Sequence, residues 1–285
     1  MISSLGCTRR SLTRRVVGAV AACLLVLPAL PALGCGFLAP PVEQTRTSTL
    51  AHVVGSSLSV ESANGGITVT AVPEAKEVTV TAKLRARTQE RLDATRVLAE
   101  RKPDNSLSIY VKWPDDSREG NEGCSFEIKL PDVKGVMLNS SNGALTLSGS
   151  SGAAELSTSN GAVTVKRHDG EVKVKTNNGA VTGEAVNGAA TVHTSNGAIT
   201  FSLAPGAAGP VTLESSNGAV TLHVGNGFAG DLSVKTSNGS VTLPEGVGIA
   251  VKDREKHSAK LEFGTGGGHS SIRTSNGSVT VTREK

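Results

Sequence analysis

The sequence predicts an all-β fold, a repeat β-solenoid with two short strands per 18–21-residue coil. Three observations carry this. A Ser/Thr-rich corner ending in Asn-Gly recurs at Asn64, Asn142, Asn160, Asn178, Asn196, Asn217, Asn238 and Asn276. From Asn142 onward the spacing is 18, 18, 18, 21 and 21 residues, with 38 before Asn276. A period near 20 with turn residues at fixed phase marks stacked coils. The side chains on both sides of each corner alternate with period two, as a half-buried strand requires. Finally, the chain holds five Phe, one Trp and one Tyr against 33 Gly, which predicts a thin core of Val, Leu, Ala and Thr.

Residues 1–34 read as an export signal: Arg9, Arg10, Arg14 and Arg15, an apolar run from Val16 to Leu33, then small residues before Cys35. Pro28 and Pro31 argue against a retained membrane helix. Arg9-Arg10 matches a twin-arginine signal only loosely, so both export routes stay open. "ALGC" (32–35) resembles the lipobox of bacterial lipoproteins, which makes Cys35 the expected lipid attachment site. The Pro-rich stretch 35–48 fits an extended tether. The expected location is the cell envelope, at the outer membrane or cell surface, with a periplasmic or secreted product as the alternative.

The formal charge of +4 belongs to this leader. It holds four of the 29 basic residues and no acid, so the remaining 25 balance the 25 acids. Nucleic-acid binding, which depends on clustered positive charge, is not expected. With Cys7 and Cys23 in the leader, only Cys35 and Cys124 remain. That excludes a disulfide framework and a four-cysteine site, although a Cys35–Cys124 bridge stays open if Cys35 is not lipidated.

The domain spans 49–285, with an irregular part at 49–135 and regular repeats at 136–285. "LSVESANGGITVT" supplies a first coil, and "EVTVTAKL", "SLSIYVKW" and "CSFEIKLP" supply strands. A short helix is expected from Thr88. Together these read as an N-terminal cap, since solenoids need atypical ends.

In the repeats, the residues three and five after Asn are apolar, apart from Gly183, and flank an invariant Thr. Four before Asn the residue is apolar. Three before it stand Glu61, Asn139, Ser157, Lys175, His193, Glu214, Lys235 and Arg273, all polar. Asn-Gly is a turn signal because both residues tolerate positive φ. Stacked coils would also let the Asn amides bond in a ladder. The 38-residue gap equals two coils, with a degenerate corner near His257. An antiparallel sandwich or prism of hairpins is the alternative architecture.

Little points to chemistry. The six histidines fall at different phases and read as scattered surface residues. No metal site, cofactor or catalytic constellation is expected. "PDDSREGNEG" reads as a solvated acidic loop, with Trp113, Asp115 and Asp116 the candidate ligand-binding residues, a sugar platform beside acids.

The runs "TSNGAVTV", "TSNGAIT" and "TSNGSVTV", the early "VESANGGITVT" and "FEIKLPDVKGVMLNSSNGALTL" resemble the bacterial putative-adhesin family over nearly all of 55–285. The resemblance implies a solenoid-like extracytoplasmic domain and brings no catalytic residues. The expected function is a non-enzymatic envelope lipoprotein presenting a β-repeat rod, held at the membrane by its lipid anchor. Its expected partner is a surface polysaccharide or an envelope protein. Two alternatives are a signalling or stress-response accessory that contacts a protein through residues 85–103, and a carbohydrate-active enzyme.

Overall fold

A computed structural model of the chain describes residues 40–245 and 248–283. The leader and Cys35 lie outside these residues, as do 35–39 of the tether. Residues 42–48, expected as tether, instead form the start of strand Val42–Ala51, which pairs antiparallel with Glu77–Ala86. Alternate β-branched residues here (Thr45, Thr47, Thr49) have a ladder to join, and that outweighs the tether-like composition before them.

The solenoid is what the chain forms. Each corner joins a strand of a first layer to a strand of a second, and neighbouring coils pair in parallel in both layers. Thus Val172–Asn178 pairs with Ala190–Asn196, and Val181–Asn187 with Ile199–Leu203. Register follows the repeat: Val163, Thr164 and Val165 lie beside Val181, Thr182 and Gly183. The inward columns of both layers are buried in one cluster. A parallel ladder excludes the antiparallel sandwich for these coils.

The corner has a different cause from the one expected. Backbone φ is positive at none of the eight Asn residues or the Gly residues that follow them. Glycine is required because the coils approach too closely for a side chain. A Cβ at Gly161 would lie 2.1 Å from the Gly143 carbonyl oxygen, and one at Gly179 1.9 Å from that of Gly161. Two hydrogen-bond ladders run through these corners. From Asn142 on, each Asn amide donates to the Asn Oδ1 of a neighbouring coil at 2.6–3.0 Å. Two residues before each of these Asn residues, a buried Ser or Thr hydroxyl donates to a neighbouring corner Gly carbonyl at 2.8–3.2 Å. This second ladder satisfies carbonyls that the closely packed corner shields from water.

The coils do not stack in chain order. Asn276 bonds Asn217, and Asn238 bonds Asn276. Strand Ser270–Asn276 therefore sits between Val211–Asn217 and Gly230–Asn238. After the Asn217 coil the chain skips a position and builds the Asn238 coil. It then adds the antiparallel hairpin of Ile249–Arg254 and Ser258–Phe263 before returning to fill the gap. The degenerate coil expected near His257 is this hairpin. His257 Nδ1 lies 2.9 Å from the Gly239 carbonyl, where the next coil's hydroxyl would otherwise sit.

The other end is built in the same way. The Asn64 coil carries the Asn142 coil on one side. On its other side lie Leu107–Lys112 and Gly123–Leu130, from the excursion between them. Strands Arg96–Arg101 and Val42–Ala51 complete that cap through antiparallel pairs. Helix Gln89–Ala94 begins where expected, the Arg91 amide donating to Thr88 Oγ1 at 3.3 Å. The N-terminal cap and the C-terminal end of the first layer thus finish in antiparallel, charge-bearing strands, while the second layer stops at the two-residue strand Val241–Thr242.

Candidate functional site

Two regions of surface warrant description, the Trp113 loop and the outer face of the first layer.

Trp113 is half-buried and packs against the core. It shares a cleft of about 200 Å³ with Glu61, Tyr110 and Arg118. Asp115 and Asp116 are not in that cleft. Both are exposed with positive φ, and Asp116 pairs with Lys112 at 3.3 Å. The expected grouping of Trp113 with these acids is therefore not formed. The acidic residue that matters in this loop is Glu122, which is buried. Its carboxylate takes the Arg91 fork, Nε at 2.5 Å and Nη2 at 3.0 Å, and accepts the Glu119 amide at 2.8 Å. Burial pushes the Glu122 carboxyl up, but Arg91 and the amide outweigh it and hold the group below its usual range. Arg91 thus pins the loop to the helix and is engaged within the 85–103 segment's own cap.

Two histidines depart from the surface reading. His168 is 1 % exposed, its Nδ1 lying 2.7 Å from Ser150 Oγ, and burial lowers its pKa. It follows Arg167, whose positive φ breaks the strand's alternation at this coil end. His52 is largely enclosed and faces Asp132 at 2.8 Å. Cys124 is buried beneath the Gly65 corner, and burial pushes its thiol up to about 12. Among the described residues no group of three His, Cys, Asp or Glu could hold a metal ion.

The outer face of the first layer carries an open groove of about 680 Å³. Its floor is the column three residues before each Asn. In spatial order this runs Lys175, His193, Glu214, Arg273, Lys235, each residue in register with the next. His193 Nδ1 and a Glu214 carboxylate oxygen lie 3.0 Å apart. Among the described residues, no carboxylate pairs with Lys175, Arg273 or Lys235. Beside this column, one residue before each Asn, stand Asn177, Ser195, Ser216, Ser275 and Ser237, all exposed. Sequence alignment by phase picks out the column three residues before Asn but misplaces Arg273, since it assumes chain order; the column one residue before Asn it does not single out.

No family model and no curated protein matches this chain. Among solved structures, the chain is similar to a putative cell adhesion protein from Clostridium sporogenes, at 12% identity and a TM-score of 0.37 over 86% of this chain and 100% of that one. It is also similar to a putative adhesin from Bacteroides fragilis, at 12% identity and a TM-score of 0.40 over 86% and 99% of the two chains. A putative adhesin from Parabacteroides distasonis aligns at 10% identity and a TM-score of 0.31, over 85% and 97%.

Proposed function

We propose that this chain is a non-enzymatic, lipid-anchored protein of the cell envelope whose solenoid serves as a surface-binding module, in the manner of an adhesin. The observation that carries the reading is the groove of the first layer: shallow, open and lined by exposed polar side chains in register on a hydrogen-bonded scaffold. Such a surface suits an extended partner laid along it, whereas small-molecule sites are concave and mostly apolar. The export signal and "ALGC" support delivery to the envelope through Cys35, and the corner motifs support kinship with adhesin-type repeats.

The test is direct. Fluorescently labelled mature protein should decorate intact cells or their extracted surface polymers, and mass spectrometry should find the mature chain beginning at a lipid-modified Cys35. Failure to bind any surface preparation would sink the adhesin role. An unlipidated N-terminus elsewhere would remove the anchor. Release of reducing ends from a glycan by the purified protein would overturn the non-enzymatic assignment.

A further inference from the structure

We infer that the groove of the first layer is a binding site for a linear acidic polysaccharide, with Lys175, Arg273 and Lys235 contacting its carboxylates. This deepens the surface-binding role proposed above and rests on it. Arg273 and Lys235 stand on adjacent strands of one sheet, and Lys175 three strands beyond Arg273. Strands are spaced about 4.8 Å apart, so the floor from Lys175 to Lys235 spans roughly 20 Å. That spacing is close to the advance of one sugar ring along an extended glycan, so successive strands can meet successive sugars.

The cations are not committed elsewhere. Lys173, one column away, is engaged by Glu171 at 2.9 Å, and Lys252 in the end hairpin by Glu262 at 2.9 Å. Lys175, Arg273 and Lys235 carry no such pair among the described residues. The one carboxylate in this floor, Glu214, faces His193. Even so, the floor keeps a net positive charge, on the face of a domain whose overall charge is balanced. The parallel line of Asn177 and serine side chains supplies donors and acceptors for sugar hydroxyls.

The lining argues for a polysaccharide over other polymers. It has no Phe, Tyr, Trp or large aliphatic anchor of the kind that drives protein interfaces. Glu214 at the centre interrupts the dense positive track that a phosphate backbone requires. The site also depends on the coil order. Only because strand Ser270–Asn276 inserts between its neighbours does Arg273 stand beside Lys235.

The experiment measures binding of the full mature protein to alginate, a linear polyuronate, at low ionic strength, with dextran as the neutral glycan and poly-glutamate as the non-sugar polyanion. Alginate should bind and dextran should not. The triple variant Lys175→Gln/Arg273→Gln/Lys235→Gln should weaken alginate binding about tenfold or more. A second triple removes the same charge from the N-terminal cap: Lys76→Gln/Lys83→Gln/Arg87→Gln. It should leave binding within about twofold, since none of its sites lines the groove. Because all six positions are exposed, circular dichroism and thermal unfolding should match the parent. If the first triple misfolds, Arg273→Glu alone should still weaken binding.

Absence of alginate binding by the parent overturns the inference, as does equal loss in both triples. Equal, groove-dependent binding of poly-glutamate also overturns it, because the site would then read charge alone. If labelled protein still decorates cells while alginate is not bound, the acidic ligand falls and the surface-binding role stands.

Discussion

The ring of Phe201 occupies the space that a side chain at Gly183 would fill: a Cβ there would lie 2.4 Å from Phe201 Cδ2 and Cε2. The two residues sit side by side on adjacent coils, in a column otherwise made of Leu and Val. One coil gives up its side chain and the next supplies a double-sized one, so the core keeps its volume. Gly183→Val should destabilise by about 2–3 kcal/mol through overpacking. Phe201→Val should cost about 2–4 kcal/mol through the cavity left behind. The double variant restores the repeat's usual pairing and should cost less than the sum by at least ~1 kcal/mol. Urea midpoints of the four proteins measure this. Simple additivity would mean the two residues do not compensate one another.

Corner glycines are held by close approach rather than by φ, which separates them from other glycines. Gly161→Ala must push the neighbouring coil away and should cost at least ~2 kcal/mol. Gly206, where an added Cβ would meet nothing within 4 Å, provides the control. Gly206→Ala should change stability by no more than ~0.5 kcal/mol. Thermal unfolding of both variants decides the point, and equal effects would refute the close-approach account.

The buried hydroxyl ladder makes a separate prediction. Thr176 donates to the Gly161 carbonyl at 3.2 Å. Thr176→Val keeps the shape and removes the donor, and should cost about 1–2 kcal/mol. Thr176→Ser keeps the bond and should cost less, despite burying a smaller side chain. The reverse ranking in chemical denaturation would show that methyl packing, not the hydrogen bond, holds the corner.

The N-terminal cap should respond to acid through Glu122. Its carboxyl is held below the usual range when folded, so its contribution to stability is complete above the unfolded value of about 4.3. That contribution is lost as pH falls through the lower folded value. The cap's amides should therefore lose protection, relative to their intrinsic exchange rates, below about pH 4. Glu122→Gln should flatten that response. Arg91→Met leaves the Glu122 carboxylate without its partner and should destabilise the cap at neutral pH. Its penalty should shrink as Glu122 protonates, opposite to the parent's trend. Hydrogen exchange from about pH 3 to pH 7 reads out all three proteins. Identical profiles would rule out Glu122 as the titrating group.

Much of this architecture was legible in the sequence because stacked coils repeat one physical environment. Each inward Val or Leu, each outward Thr and each Asn meets its own equivalent in the next coil. A period of 18–21 residues therefore states the fold almost directly. The Asn ladder and the polar column three residues before Asn followed from phase alone. The Trp113 loop did not, because Glu122 and Arg91 are far apart in sequence and meet only through the cap.

What the sequence could not state is the order of the stack, and the reason lies in the repeat itself. Coils that present the same Asn-Gly corner and the same Val-Thr-Val edge can pair with one another almost interchangeably. Which coil lies beside Asn217 is then decided by the connecting chain and by what closes the end. The Asn238 coil must sit outermost because its other edge is claimed by strand Ser258–Phe263, and Ser270–Asn276 takes the place left within. The sequence by itself determined the coil, its two faces and its corner ladders. Only the tertiary structure decided that Arg273 stands between Glu214 and Lys235, and with it the shape of the groove.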